Sequence, residues 1–309
     1  MRAEPEDRPV LRAIVGPTAA GKSWLAMALA EAVGATIVSA DSRQVYCGFD
    51  VGTAKPTADE RARVPHVGVD IAEPTQRLSA DSWARCVPQW VTEIHHQRRN
   101  PLLVGGTGFY LRALFEPFFE APDVDEEHRR ALVTELEKLP LPELRRWCER
   151  LDAARAHLGR TQLLRAVEVA LLTGTRLSTL HEIARRAPAY AARYLLVDPG
   201  GALAGQIARR VEHMLASGWV DEVQRLIASV PADAPAWTAC GYGAVREAVV
   251  GEWNRDAVVQ RVVVETRQYA KRQRTWFRHQ LDQAQVTTIN PLDADALTRA
   301  LAWWHGERT

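Results

Sequence analysis

A chain of 309 residues, 47% apolar and 25% charged, has material for one large domain or for a core that carries an inserted subdomain. Its formal net charge of +1 removes any bulk electrostatic argument for nucleic-acid or membrane-surface binding, so such a function requires local clustering of charge. Cys47, Cys86, Cys148 and Cys240 stand far apart with no C-x-x-C pair, the pattern of reduced thiols and not of disulfides or a zinc site. Residues 1–9 lack an apolar signal core, and no run of about 18 apolar residues occurs, so the chain is expected to work in the cytoplasm, away from membranes.

The first predicted strand, Leu11 to Val15, leads into Gly16-Pro17-Thr18-Ala19-Ala20-Gly21-Lys22-Ser23 and then a helical pattern, Trp24 to Val33. Strand, glycine-rich turn and helix form the setting of a phosphate-binding loop. The glycines let successive backbone N–H groups turn towards one anion, and the helix N-terminus adds free donors and a positive dipole end. Lys22 supplies a point charge, and the Ser23 hydroxyl is the expected Mg²⁺ ligand. This stretch points to a polyphosphate without saying which group is transferred.

Ala35 to Ser39 reads as a second parallel strand and runs into Asp41-Ser42-Arg43-Gln44-Val45-Tyr46. Strand carboxyl ends carry the ligand in an open α/β sheet, so this polar cluster is expected to face the phosphate loop. Asp41 has two readings, a reactive carboxylate or a local cap. Asp50 to Thr57 is a loop, and Val67 to Ile71 a third strand beside His66, which suits a local hydrogen bond. Ser79 to Arg99 reads as a helix capped by Ser79 and kinked at Pro88. Pro101 to Val104 is an apolar strand, and Gly105-Gly106-Thr107-Gly108 a second glycine-rich strand-to-helix turn. Two such turns in one sheet favour a shared anionic ligand.

Composition shifts at Glu116 to Pro122, and Asp123 to about Ala187 reads as helices only, with candidates at 126–139, 142–151 and 161–172. A strand resumes at Tyr194 to Val197. Helices follow at 202–217 and 220–227, then a long one capped by Asn254, a short strand at 286–289 and a last helix. The expected fold is α/β, a P-loop NTPase-like parallel sheet flanked by helices, with residues 1–116 and 191–309 as core and 117–190 as an all-helical insertion. On the long helix Arg267, Lys271, Arg274 and Arg278 share one face, and Thr266 to Leu281 contains no acid. A solvated cationic face and a site for a phosphate backbone are both open readings.

A phosphate-loop kinase needs a second acid to hold Mg²⁺, usually at the end of an apolar strand. Leu102 to Val104 ends in glycines, which leaves only Leu195-Leu196-Val197-Asp198, late in the chain.

The phosphate loop, Asp41 to Tyr46, Gly52-Thr53-Ala54-Lys55-Pro56, Leu103 to Leu111, Met214 to Gly218 and Thr266 to Trp276 together resemble the tRNA dimethylallyltransferase family over nearly the whole chain. The resemblance implies transfer of a dimethylallyl group from dimethylallyl diphosphate to the exocyclic amine of the adenine 3′ to a tRNA anticodon. It implies that Gly16, Thr18, Ala19, Ala20, Gly21, Lys22 and Ser23 hold the diphosphate with Mg²⁺. Asp41 would take the amine proton, Thr107 would donate to the bridging oxygen, and Arg210 would neutralise the leaving group. Asp41, Ser42, Arg43 and Gln44 would contact the target nucleotide. Gln162, Arg165, Arg267, Lys271, Arg274 and Arg278 would grip the anticodon stem-loop, the enzyme working as a monomer. The chain departs from the family at Gln162 and Gln206, both usually arginine, at Gly243, usually basic, and at Val67, usually histidine. Arg209 replaces neither arginine, pointing about 100° from Arg210. Two alternatives stay open, a prenyltransferase of a free adenine nucleotide or other small acceptor, and an ATP-dependent kinase or RNA chaperone.

Overall fold

The computed structural model describes residues 8–116, 118–119, 125–183, 185–251 and 254–306. Residues 1–7, on which the expectation about a signal core rests, and most of 117–124, where composition shifts, lie outside the described residues.

The chain opens with β1 (Val10–Val15), α1 (Lys22–Val33), β2 (Ala35–Ser39), α2 (Ala58–Arg63), β3 (His66–Val67), α3 (Ala80–His96), β4 (Asn100–Gly105) and α4 (Gly108–Phe115). The middle holds β5 (Phe118–Phe119), α5 (Glu126–Lys138), α6 (Leu141–Leu151), α7 (Arg160–Thr173), α8 (Leu177–Ile183) and β6 (Arg185–Arg186). The last part brings β7 (Ala191–Val197), α9 (Leu203–Ala216), α10 (Trp219–Ser229), α11 (Tyr242–Val250), α12 (Arg255–Gln280), β8 (Val286–Ile289) and α13 (Ala296–His305).

Two compact units result, one from residues 1–115 and 189–309, the other from 116–188. The first is built on a six-stranded parallel sheet in the order β3-β2-β4-β1-β7-β8. β2 is buried throughout and β1 from Ala13 to Val15, as parallel strands covered on both faces must be. Ile14, Leu102, Leu103 and Leu195 from the strands and Leu25 and Leu29 from α1 have no solvent-exposed surface. The register Val15↔Gly105, Val15↔Leu196 and Ser39↔Val104 brings the strand carboxyl ends level. The segments after β1, β2, β4 and β7 therefore emerge along one sheet edge.

Local signals account for many boundaries. Asn254 accepts the Ala257 N–H and starts α12, and Ser79 accepts the Ser82 N–H and starts α3. Helix α3 runs across Pro88 without a break. The second unit has its own apolar centre, which includes Leu136 of α5, Leu144 and Cys148 of α6, and Leu163 and Val167 of α7. It is not all-helical, because β5 and β6 pair antiparallel through Phe118↔Arg186 and Phe119↔Arg185. Two-residue strands carry too little alternation to be read from composition. Among the described residues no helix is long and apolar enough to cross a membrane.

Candidate active site

Residues 16–21 form the turn between β1 and α1, and α1 begins at Lys22, earlier than its apolar pattern, so Lys22 and Ser23 stand in its first turn. Gly16 has φ 153°, and a Cβ there would sit 2.3 Å from the Val197 carbonyl oxygen of β7, so only glycine lets the loop leave the sheet here. Ala19 holds a left-handed φ of 61°, sparsely populated for a residue with a side chain.

A cavity of about 90 Å³ lies at this edge and brings Thr18, Lys22 and Ser23 together with Asp41, Arg43, Gln44 and Arg210. A larger space of about 790 Å³ adjoins it, sharing Ser23, Gln44 and Arg210. Burial first, and the neighbouring Arg210 second, press the Lys22 ammonium down to about 7, with Asp41 opposing them. Lys22 donates to the Pro17 carbonyl at 2.7 Å. Burial also lowers the Arg210 guanidinium, again opposed by Asp41. Two cations desolvated beside a single carboxylate make a site with a deficit of negative charge.

Asp41 makes the local contact that one of its readings expects, and it also faces the cavity. One oxygen accepts the Arg43 N–H at 2.9 Å, closing a local turn, while the carboxylate lines the cavity. Arg43 donates to the Thr238 hydroxyl at 2.7 Å.

Other expected site residues are placed differently. Thr107 is not part of the cavity lining; its hydroxyl accepts the Ser42 N–H at 2.9 Å and donates to the Ser42 hydroxyl at 3.2 Å. Together Thr107 and Ser42 tie the turn after β4 to the loop after β2. Gln44 is committed within the protein, its amide donating to the Ala54 carbonyl at 3.0 Å and accepting from Ser39 at 3.0 Å. Gly16, Ala19, Ala20 and Gly21 shape the loop without lining the cavity. The Thr18 N–H is given to Gln273 Oε1 at 2.7 Å, so this amide is not free for an anion.

The basic stripe of α12 requires a correction. Arg274 is bound to the Asp198 carboxylate after β7 and donates to the Gly200 carbonyl at 2.7 Å. The compensating acid comes from a strand end 76 residues away, which no reading of residues 266–281 reveals. That pairing also engages the one acid available to the kinase reading. Arg267, Lys271 and Arg278 stay exposed. In the second unit, Arg165 pairs with the buried Glu168 at 2.7 Å, Arg129 pairs with it at 2.6 Å, and Arg165 so braces its own helix pack. Gln162 accepts the Gly159 N–H at 3.2 Å and caps α7. Neither side chain is held out as a lone phosphate contact. Gln206 Oε1 is buried without a partner among the described residues, Gly243 has open space about it, and Val67 is half-buried in β3. His66 hydrogen-bonds the Val64 carbonyl, the local role its position suggests.

Several site residues escape the sequence reading. Val262, Thr266, Tyr269 and Gln273 line the cavity at i, i+4, i+7 and i+11, a stripe about 140° around α12 from the basic one. The available signal was the recurrence of Thr, Tyr and Gln where a purely packing face would carry aliphatic side chains. Burial and the nearby Asp41 push the Tyr269 hydroxyl up. Cys240 and Trp219 complete that side of the cavity.

Among the described residues no group of three or more His, Cys, Asp or Glu side chains is disposed to hold a metal. The oxygen donors at the cavity, the Ser23 hydroxyl and the Asp41 carboxylate, suit a hard ion that keeps most of its ligands from water and phosphate.

The sequence model of the IPP transferase family matches residues 44–280. A tRNA dimethylallyltransferase from a Cyanothece species is 38% identical over 295 residues, 95% of this chain and 96% of that protein. One from an Anaeromyxobacter species is 40% identical over 295 residues, 94% of this chain and 97% of that protein. Among solved structures, the full-length tRNA isopentenylpyrophosphate transferase of Bacillus halodurans is 30% identical, covers 97% of this chain and 96% of its own, and superposes with a TM-score of 0.68.

Proposed function

Because the chain belongs to the IPP transferase family of tRNA dimethylallyltransferases, we propose that it transfers the dimethylallyl group of dimethylallyl diphosphate to the exocyclic N6 amine of the adenine 3′ to a tRNA anticodon. The observation that carries this reading is the juxtaposition of Lys22 and Arg210 with Asp41 in one cavity. Desolvated cations on one side suit a departing diphosphate, and a carboxylate on the other suits an amine that must lose a proton. As the N6–C1 bond forms, the C1–O bond breaks and its electron pair leaves on diphosphate. The N–H proton passes to Asp41. An adenine amine is a weak nucleophile, so a carboxylate within hydrogen-bond reach raises its reactivity only as the bond forms.

Lys22, Ser23 and the free amides of the first turn of α1 hold the diphosphate. Ser23 would help to hold Mg²⁺ here, and the ion would supply charge neutralisation to the leaving group. Tyr269 and Arg43 border the acceptor side of the cavity. The exposed cations Arg267, Lys271 and Arg278 are the sequence-independent grip on the RNA backbone, whose target base leaves its stack to enter. We place this reaction in the cytoplasm and assign it to a single chain, which contains every group invoked.

A second reading, prenylation of a free adenine nucleotide, draws support from the internal engagement of Arg165 and Gln162. Incubation with labelled dimethylallyl diphosphate, Mg²⁺ and either bulk tRNA or AMP separates the two. Label in tRNA is expected. Label confined to AMP would transfer the assignment to the small acceptor, and phosphoryl transfer from ATP with no prenyl label would sink both.

A further inference from the structure

The wall of the cavity facing α10 and α11 is the turn at residues 50–54, through Gly52, Thr53 and Ala54. None of the reacting groups lies on this turn, yet it is fixed with unusual thoroughness. Glu222 of α10 is 3% exposed and accepts three hydrogen bonds, from the Asp50 N–H at 3.0 Å, the Val51 N–H at 2.7 Å and the Tyr242 hydroxyl. Tyr242 of α11 is fully buried and accepts the Gly52 N–H at 3.1 Å. Three consecutive backbone amides therefore end on one carboxylate–phenol pair. No ion pair to Glu222 occurs among the described residues. A buried carboxylate without a cation is costly, and the three donors are what make it tolerable. Burial and the adjacent carboxylate hold the Tyr242 hydroxyl far above its ordinary range, so it remains a donor at any working pH.

The close approach leaves no slack. A Cβ on Gly52 would sit 2.2 Å from the Trp219 indole nitrogen and 2.5 Å from the Tyr242 ring. On its opposite side the turn presents its carbonyls to Gln44, which donates to Ala54 at 3.0 Å and to Thr53 at 3.4 Å and accepts from Ser39. Gln44 belongs to the same short loop as Asp41. A continuous set of hydrogen bonds thus runs from Glu222 and Tyr242 through the 50–54 turn and Gln44 to the loop that carries the proton acceptor.

We propose that Glu222 and Tyr242 are positioning residues for the prenyl-acceptor side of the site, holding the 50–54 turn and, through Gln44, the loop of Asp41 where the amine must meet it. The inference rests on the transfer reaction proposed above. It assigns a functional load to two side chains that touch no substrate, and it separates them from the phosphate loop, which hangs from a different strand.

Tyr242→Phe removes one hydroxyl from the pair, and Glu222→Gln keeps the shape while placing an amide against at least one donor. With both variants folded at the assay temperature by circular dichroism, kcat for tRNA prenylation is expected to fall about tenfold or more, since small misplacements of reacting groups are that costly. The KM for dimethylallyl diphosphate stays within about twofold, because the phosphate loop is untouched. The double variant loses little more than the worse single one, as expected of residues acting through one turn. Unchanged kcat in folded variants, or an equal loss of diphosphate binding, would overturn the proposal. Amide exchange at Asp50, Val51 and Gly52, read in the free protein, should speed up in both variants. If the wild type prenylated nothing, the reaction assignment would fall while this exchange measurement still decided whether the pair holds the turn.

Discussion

The side-chain carbonyl of Gln273 accepts the backbone N–H of Thr18 at 2.7 Å, joining α12 to the phosphate loop across 255 positions of sequence. The other end of the same amide donates to the Gly106 carbonyl at 2.8 Å, so one buried glutamine closes both glycine-rich turns of the sheet edge. Gln273→Leu strands a donor and an acceptor at once and should destabilise the protein by about 2–4 kcal/mol in urea unfolding. Gln273→Glu keeps the bond to Thr18 but sets a carboxylate oxygen against Gly106 and adds negative charge to the cavity. Calorimetry should find pyrophosphate binding weakened at least about tenfold by Glu, an effect of charge close to the anion. A full-affinity Gln273→Glu variant would contradict the geometry.

Asp41→Asn removes the proton acceptor and leaves a side chain that can still accept the Arg43 N–H. Prenyl transfer should fall on the order of 10²–10⁴-fold, the usual worth of a general base. Pyrophosphate should bind no more weakly than to the wild type, because the change deletes the one carboxylate next to Lys22 and Arg210. Near-normal turnover would remove Asp41 from its role.

Proton uptake should accompany diphosphate binding. Burial and Arg210 hold free Lys22 at about 7, and an anion against its ammonium must raise that value. Between about pH 7 and the raised value in the complex, binding then draws up to one proton, and affinity falls as pH rises, by up to about tenfold per unit. Titration calorimetry in two buffers of different ionisation enthalpy reads the proton directly. Lys22→Met should bind weakly and without this pH dependence, and zero uptake by the wild type at pH 8 would be the contrary result.

The cations of α12 should divide by partner. Replacing Arg267, Lys271 or Arg278 with Gln should each reduce the slope of log affinity for tRNA against log salt by about 0.7–0.9. Arg274→Gln should leave that slope unchanged and instead cost about 1 kcal/mol of stability, since its guanidinium is half-buried on Asp198. An equal slope change for all four would restore a uniform RNA-binding stripe.

The phosphate loop, the parallel strands and the cap of α12 were legible because each is written within a few consecutive residues. Gly16 to Ser23 follows an apolar run and precedes a helical one, and Asn254 stands three residues before the N–H it caps. What stayed hidden depends on partners distant in sequence. Nothing near Arg274 foretells Asp198, and nothing near Arg165 foretells that Glu168 also serves Arg129. Gln273 and Tyr269 lie on a face of α12 whose neighbours in the fold, not in the sequence, make it a cavity wall. Thr107 is recognisable by its glycine neighbours, but nothing in the sequence shows that its hydroxyl is committed to Ser42. Helix α11 is hidden in the sequence because it is only nine residues long and is preceded by Gly241, a residue type more often found just past a helix end.

The place of β1 between β4 and β7 has a consequence for synthesis. β1 is an inner strand of the sheet, and one of its two neighbours is not made until residues 191–197. At roughly 5–20 residues per second, that edge stands open for on the order of ten to forty seconds. During that interval the Leu11 to Val15 backbone is an unpaired template on a largely apolar strand. A nascent chain arrested before residue 190 should therefore be retained by chaperones or aggregate, whereas one arrested beyond residue 200 should not.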